Sequence, residues 1–163
     1  MQLEELKNKL LLARDSREQH LSEYLRTCSG SVVMISLNIP GQDKKPAGVL
    51  EIFQHACETV HEKLSAVDCV SVEDEAGYYA ILMCSKDTEK TKRIAVEIEE
   101  SSKAARLLDI DVYNANGEQA DRKSLGLPPR QCLVCGQPAA DCMRNKRHDA
   151  NTIINAAEKL LKK

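Results

Sequence analysis

Aromatic residues are almost missing from this chain: it has no tryptophan, a single phenylalanine (Phe53) and four tyrosines among 163 residues. Exposed bases therefore have no stacking platform, and the core must be aliphatic. An excess of charge of one sign is also missing, since 23 basic residues face 25 acidic ones for a formal net charge of -2. That balance argues against a general nucleic-acid binder, which carries a strong basic surplus. No apolar run is long enough to span a bilayer. The opening "MQLEELKNKLLLARDSREQ" mixes charges with leucines from its first turn, unlike a signal peptide, so a cytoplasmic protein is expected. The length suffices for one buried core, which predicts a single domain over 1–163.

Cysteine, by contrast, is plentiful. Seven cysteines, an odd number, in a chain without an export signal read as reduced thiols and metal ligands rather than a disulfide framework. Cys28, Cys57, Cys69 and Cys84 sit in apolar segments and are expected to be buried small hydrophobes.

Leu3, Leu6, Leu10, Ala13, Leu21, Tyr24 and Leu25 recur at mostly helical spacing, which predicts an amphipathic helix over about 2–27, closed by Gly30. "SVVMISLN" (31–38) reads as a strand, followed by turn chemistry in "IPGQDKKP". Val49, Ile52, Phe53, Ala56, Val60 and Leu64 form a helical stripe. "VDCVSVE" and "YYAILMC" read as strands joined through "DEAG" as a hairpin. Asp87 suits a cap for a helix facing inward with Ile94, Ala95 and Ile98, and Asp149 a cap for a final helix carrying Ile153, Ile154, Ala157, Leu160 and Leu161.

The order over 31–113 is β-α-β-β-α-β. The expected fold is α+β: a four- to five-stranded, mainly antiparallel sheet with a ferredoxin-like or nucleotidyltransferase-like core, helices flanking both ends, and a Cys-rich appendage at about 128–148. Asn116-Gly117 is the strongest hairpin signal, and a two-residue turn there would set Ala115 opposite Glu118 and Asp111 opposite Arg122.

"RLLDIDVYNANG" (106–117) interrupts a strand with two carboxylates at i and i+2, which must share one face. Asp109 and Asp111 can share a magnesium ion, a hard cation that takes carboxylates together with substrate phosphates. The same spacing marks nucleotidyltransferases of the polymerase-β type, but the glycine-serine element that precedes it there is absent here. The other reading is a solvent-facing strand whose acids pair with Arg122 and nearby cations.

"CLVCGQPAADCMRNKRH" holds Cys132, Cys135, Cys142 and His148. CxxC followed by glycine is the tight turn with which two thiolates grip zinc, and a third cysteine plus a histidine complete a tetrahedron. Free thiols packed against the final helix are the alternative. Arg122, Lys123, Arg130, Arg144, Lys146 and Arg147 make the region basic, suited to a polyphosphate or an acidic protein surface, or to a solvated face.

"SLNIPG" (36–41), "ARLLDIDVYNANG" (105–117), "LGLPPRQCLVCGQPAADC" (125–142) and "RNKRH" (144–148), in this order and spacing, resemble the citrate lyase holo-acyl-carrier-protein synthase family, the CitX-type apo-citrate lyase phosphoribosyl-dephospho-CoA transferases. "ARDSREQ" is similar to that family's opening helix. Ala105 and Leu108 depart from its usual GRLFDIDV, and Asn145 stands where its ARSRRH has serine, so no serine role carries over.

The resemblance implies transfer of 2′-(5″-triphosphoribosyl)-3′-dephospho-CoA to a serine of the citrate lyase acyl carrier protein subunit, with release of diphosphate. Because the partner supplies the nucleophile, such an enzyme supplies position and positive charge. On this reading Asp109 and Asp111 hold Mg2+, and one of them assists serine deprotonation. Arg106, Arg122, Arg144, Lys146, Arg147 and His148 bind phosphate oxygens, and Asn38, Gly41, Lys44 and Lys45 approach the same anion. Basic surface, including Arg14, Arg17 and Arg26, would steer an acidic carrier; neither a membrane nor a nucleic acid is an expected partner. Two other classes are open: a zinc-stabilised module that binds protein or RNA through its basic tail, marked by stoichiometric zinc and indifference to Asp109, and a small-molecule sensor that binds without turnover.

Overall fold

Leucines and small residues at three- and four-residue spacing wind the first segment into α1 (Leu3–Thr27). The structure, a computed structural model, describes residues 2–66 and 69–162. Its β-branched runs form β1 (Ser31–Leu37), β2 (Cys69–Asp74), β3 (Gly77–Cys84) and β4 (Leu108–Tyr113). They lie in the order β2-β3-β1-β4, and every neighbouring pair is antiparallel. Between them run α2 (Val49–Leu64) and α3 (Thr88–Glu99), with a 3-10 turn (Ala104–Leu107) leading into β4. Two helices close the chain, α4 (Ala139–Arg144) and α5 (Ala150–Leu161). The caps are the expected ones: Lys90 N–H donates to Asp87 Oδ1 and Thr152 N–H to Asp149 Oδ1.

Strand alternation sorts the side chains into two cores. Val33, Ile35, Ala80, Leu82, Leu108, Ile110 and Val112 face α2 and α3, where they meet Phe53, Ala56, Val60, Ala95 and Ile98. Each Val, Leu, Ile or Phe among them, when wholly buried, contributes about 1.5 to 3 kcal/mol. The opposite face presents Val32, Tyr79 and Ile81 to Leu21, Tyr24 and Leu25 of α1. A third, smaller cluster seats Ala157, Leu160 and Leu161 of α5 on Ile39, Val49 and Leu107. Gly30 allows the α1–β1 turn to touch β3, because a Cβ there would stand 2.2 Å from Cys84 O.

Strand β4 lies at the sheet edge, and alternate residues of an antiparallel strand turn their backbone groups away from the neighbour. Side chains occupy these outward groups: Glu99 Oε1 accepts from Ile110 N–H (2.8 Å), Lys92 Nζ donates to Ile110 O (3.0 Å), and Arg130 Nη1 donates to Leu108 O (2.8 Å). Ala120 N–H reaches Val112 O. The sheet therefore has four strands, and the returning chain adds a single bridge, Tyr113 to Gln119.

That bridge corrects the expected hairpin register. Asn114 N–H donates to Glu118 O and Gly117 N–H to Asn114 O, so the loop holds the three residues 115–117 and the pairing shifts by one. The cause is the Asn114 carboxamide, whose oxygen accepts from both Asn116 N–H and Glu118 N–H and builds the turn one residue early. Arg122 consequently misses Asp111 and binds Glu99 and Glu100. Of the strand expected from "VDCVSVE", Val67 and Asp68 lie outside the described residues. Among the four cysteines expected to be buried, Cys84 is; Cys28, Cys57 and Cys69 are half-buried. Among the described residues no helix is long and apolar enough to cross a membrane.

Candidate functional site

Asp109 and Asp111 share one face of β4, opposite Ser36 and Met34 of β1, while the alternating Leu108, Ile110 and Val112 are buried on the other. The acids thus lie on the α1 side of the sheet. Asp109 borders a cleft of about 700 Å³ whose walls include the first half of α1, the end of β1 and the loop that follows it. Lys7, Arg14, Arg17 and Lys44 bring four cations to this cleft, and Ser36 and Asn38 add polar groups.

Those cations are not equivalent. Arg17 binds Asp74 through two 2.7 Å hydrogen bonds and lies 4.6 Å over the Tyr79 ring, which orients α1 on the sheet. His20 strengthens the seat with a 3.0 Å bond to the Tyr79 hydroxyl. Lys44 donates to Ile39 O at 2.7 Å, and burial together with the neighbouring Arg14 lowers its pKa. A bound anion would relieve that crowding of positive charge. Asn38 N–H is tied to Leu107 O, which fixes the loop. Gly41 adopts φ 89° with its α-carbon turned to α5, where a Cβ would meet Ile154 Cδ1 at 3.2 Å. Lys45 pairs with Glu73 at 2.7 Å, a bond that raises its pKa.

Asp111 is half-buried and accepts from Gln119 Nε2 at 2.8 Å. Burial first, and the adjacent Asp109 charge second, push its pKa up to about 6. Tyr113, next along the same face, is pushed up to about 12 by burial and then by Asp111 and Asp109. Asp109 Oδ1 takes a 3.2 Å hydrogen bond from Arg130. The second oxygen of each acid has no hydrogen-bond partner among the described residues. Two hard oxygen donors that repel each other beside a cationic cleft are a set a divalent cation fits.

A second cleft, about 500 Å³, is lined by Glu99, Arg106, Arg122 and Arg130. Glu99, only 3% exposed, is its hub: Arg122 and Arg130 both donate to it, in addition to Ile110 N–H. Arg130 bridges Glu99 (2.8 Å) and Asp109 (3.2 Å), so it links this network to the acid pair. Arg106 donates to Cys132 O at 2.9 Å.

Cys132, Cys135, Cys142 and His148 converge, with one ligand atom from each lying within 4.8 Å of all the others. Cys135 Sγ is 3.4 Å from Cys142 Sγ and 3.3 Å from His148 Nε2. Hydrogen bonds from the Gln137 backbone and then His148 lower the Cys135 pKa to about 6, whereas desolvation raises Cys142 to about 11. Arg144, Lys146 and Arg147 are exposed around this cluster, and Arg144 stands 3.7 Å from Asp141. They line neither cleft.

Sequence reasoning missed Glu99 and the bridging role of Arg130. The available signal was on α3, where Lys92, Ala95, Val96 and Glu99 fall on one face, so that charges bracket an apolar pair.

A family model described as apo-citrate lyase phosphoribosyl-dephospho-CoA transferase (CitX) matches residues 6–163. The chain is 32% identical over 158 residues to the apo-citrate lyase phosphoribosyl-dephospho-CoA transferase of Shigella boydii serotype 18, covering 93% of this chain and 86% of that protein. The same figures hold for the protein of that name from Escherichia coli O157:H7. It is also 31% identical over 156 residues to Protein CitXG of Haemophilus influenzae, spanning 34% of that longer protein.

Proposed function

From its membership of the apo-citrate lyase phosphoribosyl-dephospho-CoA transferase family, to which the chain belongs, we propose that this protein attaches the prosthetic group of citrate lyase. It transfers 2′-(5″-triphosphoribosyl)-3′-dephospho-CoA to a serine of the apo acyl carrier protein subunit and releases diphosphate. The chemistry is of nucleotidyltransferase type. The serine oxygen forms a bond to the α-phosphorus, the bond to the diphosphate oxygen breaks, and the serine proton passes to a carboxylate. The observation that carries this reading is Asp109 on the wall of a cleft with four cations. The family match gives no support to a non-catalytic interaction module.

Asp109 and Asp111 are the residues that would hold Mg2+, which when bound would neutralise polyphosphate oxygens. Arg14 and Lys44 attract the triphosphate, and Arg17, already paired with Asp74, holds the α1 wall in place. Asn38, from the loop that also carries Lys44, orients the anion. One of the two acids takes the proton of the incoming serine, and Arg130 restrains Asp109 so that this carboxylate keeps its direction. Leu11 and Leu12 on α1, 55% and 66% exposed, flank the cationic wall and give a docking carrier an apolar contact.

The test is to incubate the protein with apo-carrier subunit, Mg2+ and the triphosphoribosyl precursor, then weigh the carrier by mass spectrometry. The prosthetic group's mass is expected on the carrier, and Asp109→Asn and Asp111→Asn are expected to abolish the gain while keeping the wild-type circular dichroism. Full activity in both variants rejects the assignment.

A further inference from the structure

The segment from 114 to 138 contains no helix or strand, yet it delivers Arg130 to the acid pair. Something outside regular structure must hold it. Around Arg130 the backbone is laced to the cysteine turn: Ala139 N–H donates to Arg130 O (2.8 Å), Cys132 N–H to Gln137 O (2.7 Å), and Gln131 bridges Pro138. Gly136, at φ 71° with open space where a Cβ would be, supplies the left-handed residue that the CxxCG turn needs. Val134 N–H points at Cys132 Sγ (3.4 Å), as amides of thiolate-metal turns do.

The only helix of this subdomain, α4, has six residues, too few to be stable alone. Three sulfurs and one imidazole nitrogen within 4.8 Å are close to a tetrahedron, since a zinc ion with ligands at about 2.3 Å sets neighbouring sulfurs about 3.8 Å apart. No disulfide joins these cysteines, and two of the ligands, Cys132 and Cys142, are buried.

We propose that Cys132, Cys135, Cys142 and His148 bind one structural zinc ion, and that this zinc-closed knuckle is what holds Arg130 against Glu99 and Asp109. The metal supplies no chemistry to the transfer. It converts a loop without secondary structure into a rigid arm whose base is two residues from Arg130, and Arg106 locks the same arm through Cys132 O. The metal-binding half stands apart from the transferase reading; the relevance of Arg130 to catalysis rests on it through Asp109.

Both halves are measurable without carrier or nucleotide. Untagged protein, purified without chelator and dialysed, is expected to carry one zinc per chain by plasma mass spectrometry. After exchange, Co2+ is expected to show the intense visible bands of tetrahedral thiolate coordination, lost in Cys135→Ser. Protein free of zinc whose cobalt form lacks those bands overturns the site. For the second half, hydrogen exchange of the peptide over 105–113 reads the Glu99 bond to Ile110 N–H, which Arg130 supports. Chelation of zinc is expected to speed that exchange about tenfold, the equivalent of one lost charge-assisted hydrogen bond, with β3 unchanged. Should chelation unfold the whole chain, Cys135→Ser and zinc-loaded Arg130→Met are compared: the same acceleration in both upholds the arrangement, and unchanged exchange in either overturns it.

Discussion

Replacing Glu99 with leucine should be the most damaging single change near the site that leaves both acids in place. Leucine keeps nearly the volume but removes the acceptor for three donors: Arg122 Nη2, Arg130 Nη2 and Ile110 N–H. Arg122 is 13% exposed at its side chain and keeps only Glu100 and Pro128 O; Arg130 is 30% exposed, so water recovers part of its loss. Breaking a buried pair of this kind costs about 3 to 5 kcal/mol. With a urea slope of about 2 kcal/mol per molar, the unfolding midpoint should fall by about 2 M. Glu99→Gln separates the contributions. Its oxygen can keep Ile110 and Arg130 while its amide confronts Arg122, so a loss of about 2 kcal/mol, or about 1 M, is expected. The assay is equilibrium urea unfolding followed by circular dichroism. A Glu99→Leu midpoint within about 0.3 M of the parent would refute the claim that this carboxylate organises the arginines.

Asp111, whose folded pKa of about 6 exceeds its unfolded value near 4, destabilises the fold in the charged form: stability is greatest below pH 4 from this group and is lost as pH rises through 6. In metal-free buffer Asp111→Asn should therefore raise Tm by about 5 °C at pH 7.5 and leave it nearly unchanged at pH 4; an equal gain at both pH values contradicts the cause assigned. Lys92→Met strands Ile110 O at the sheet edge and should cost about 1 to 3 kcal/mol in urea unfolding, unlike the exposed Lys90→Met. Gly30→Ala drives a Cβ into Cys84 O and should lower Tm by at least about 4 °C, whereas no change would mean that the α1–β1 turn is free to move. Arg17→Met should remove about 2 kcal/mol by releasing the Asp74 bidentate pair and the Tyr79 stack, measured by the same unfolding curve.

Local rules made much of this molecule readable. The apolar, β-branched run "SVVMISL", the alternation in "LDIDVY" and the helical stripe through Phe53, Ala56 and Val60 each report surface that must be buried, and the structure buries most of it. The aspartate pair was legible because side-chain direction in a strand repeats every two residues. The cysteine-histidine group was legible because a turn, a short helix and a following loop keep the four residues within 17 positions. What stayed hidden depends on distant contacts. Arg130 meets Glu99 31 residues away and Asp109 21 residues away, separations that no period encodes. The hairpin register turned on one carboxamide, Asn114, that outcompeted the stronger local signal of Asn116-Gly117. Nor could pattern reveal that α1 lies across the aspartate face, since its charged residues read equally well as solvated.

Strand β4 has its outward carbonyls and amide taken by Arg130, Lys92, Glu99 and Ala120. An incoming polypeptide would have to displace these partners to extend the sheet beside the aspartates by backbone pairing. On the proposed function, a serine brought to this cleft would arrive on a folded surface or a loop tip, held by side-chain contacts. On that same reading, an acceptor held by side chains alone leaves no backbone ladder to break when the modified partner departs.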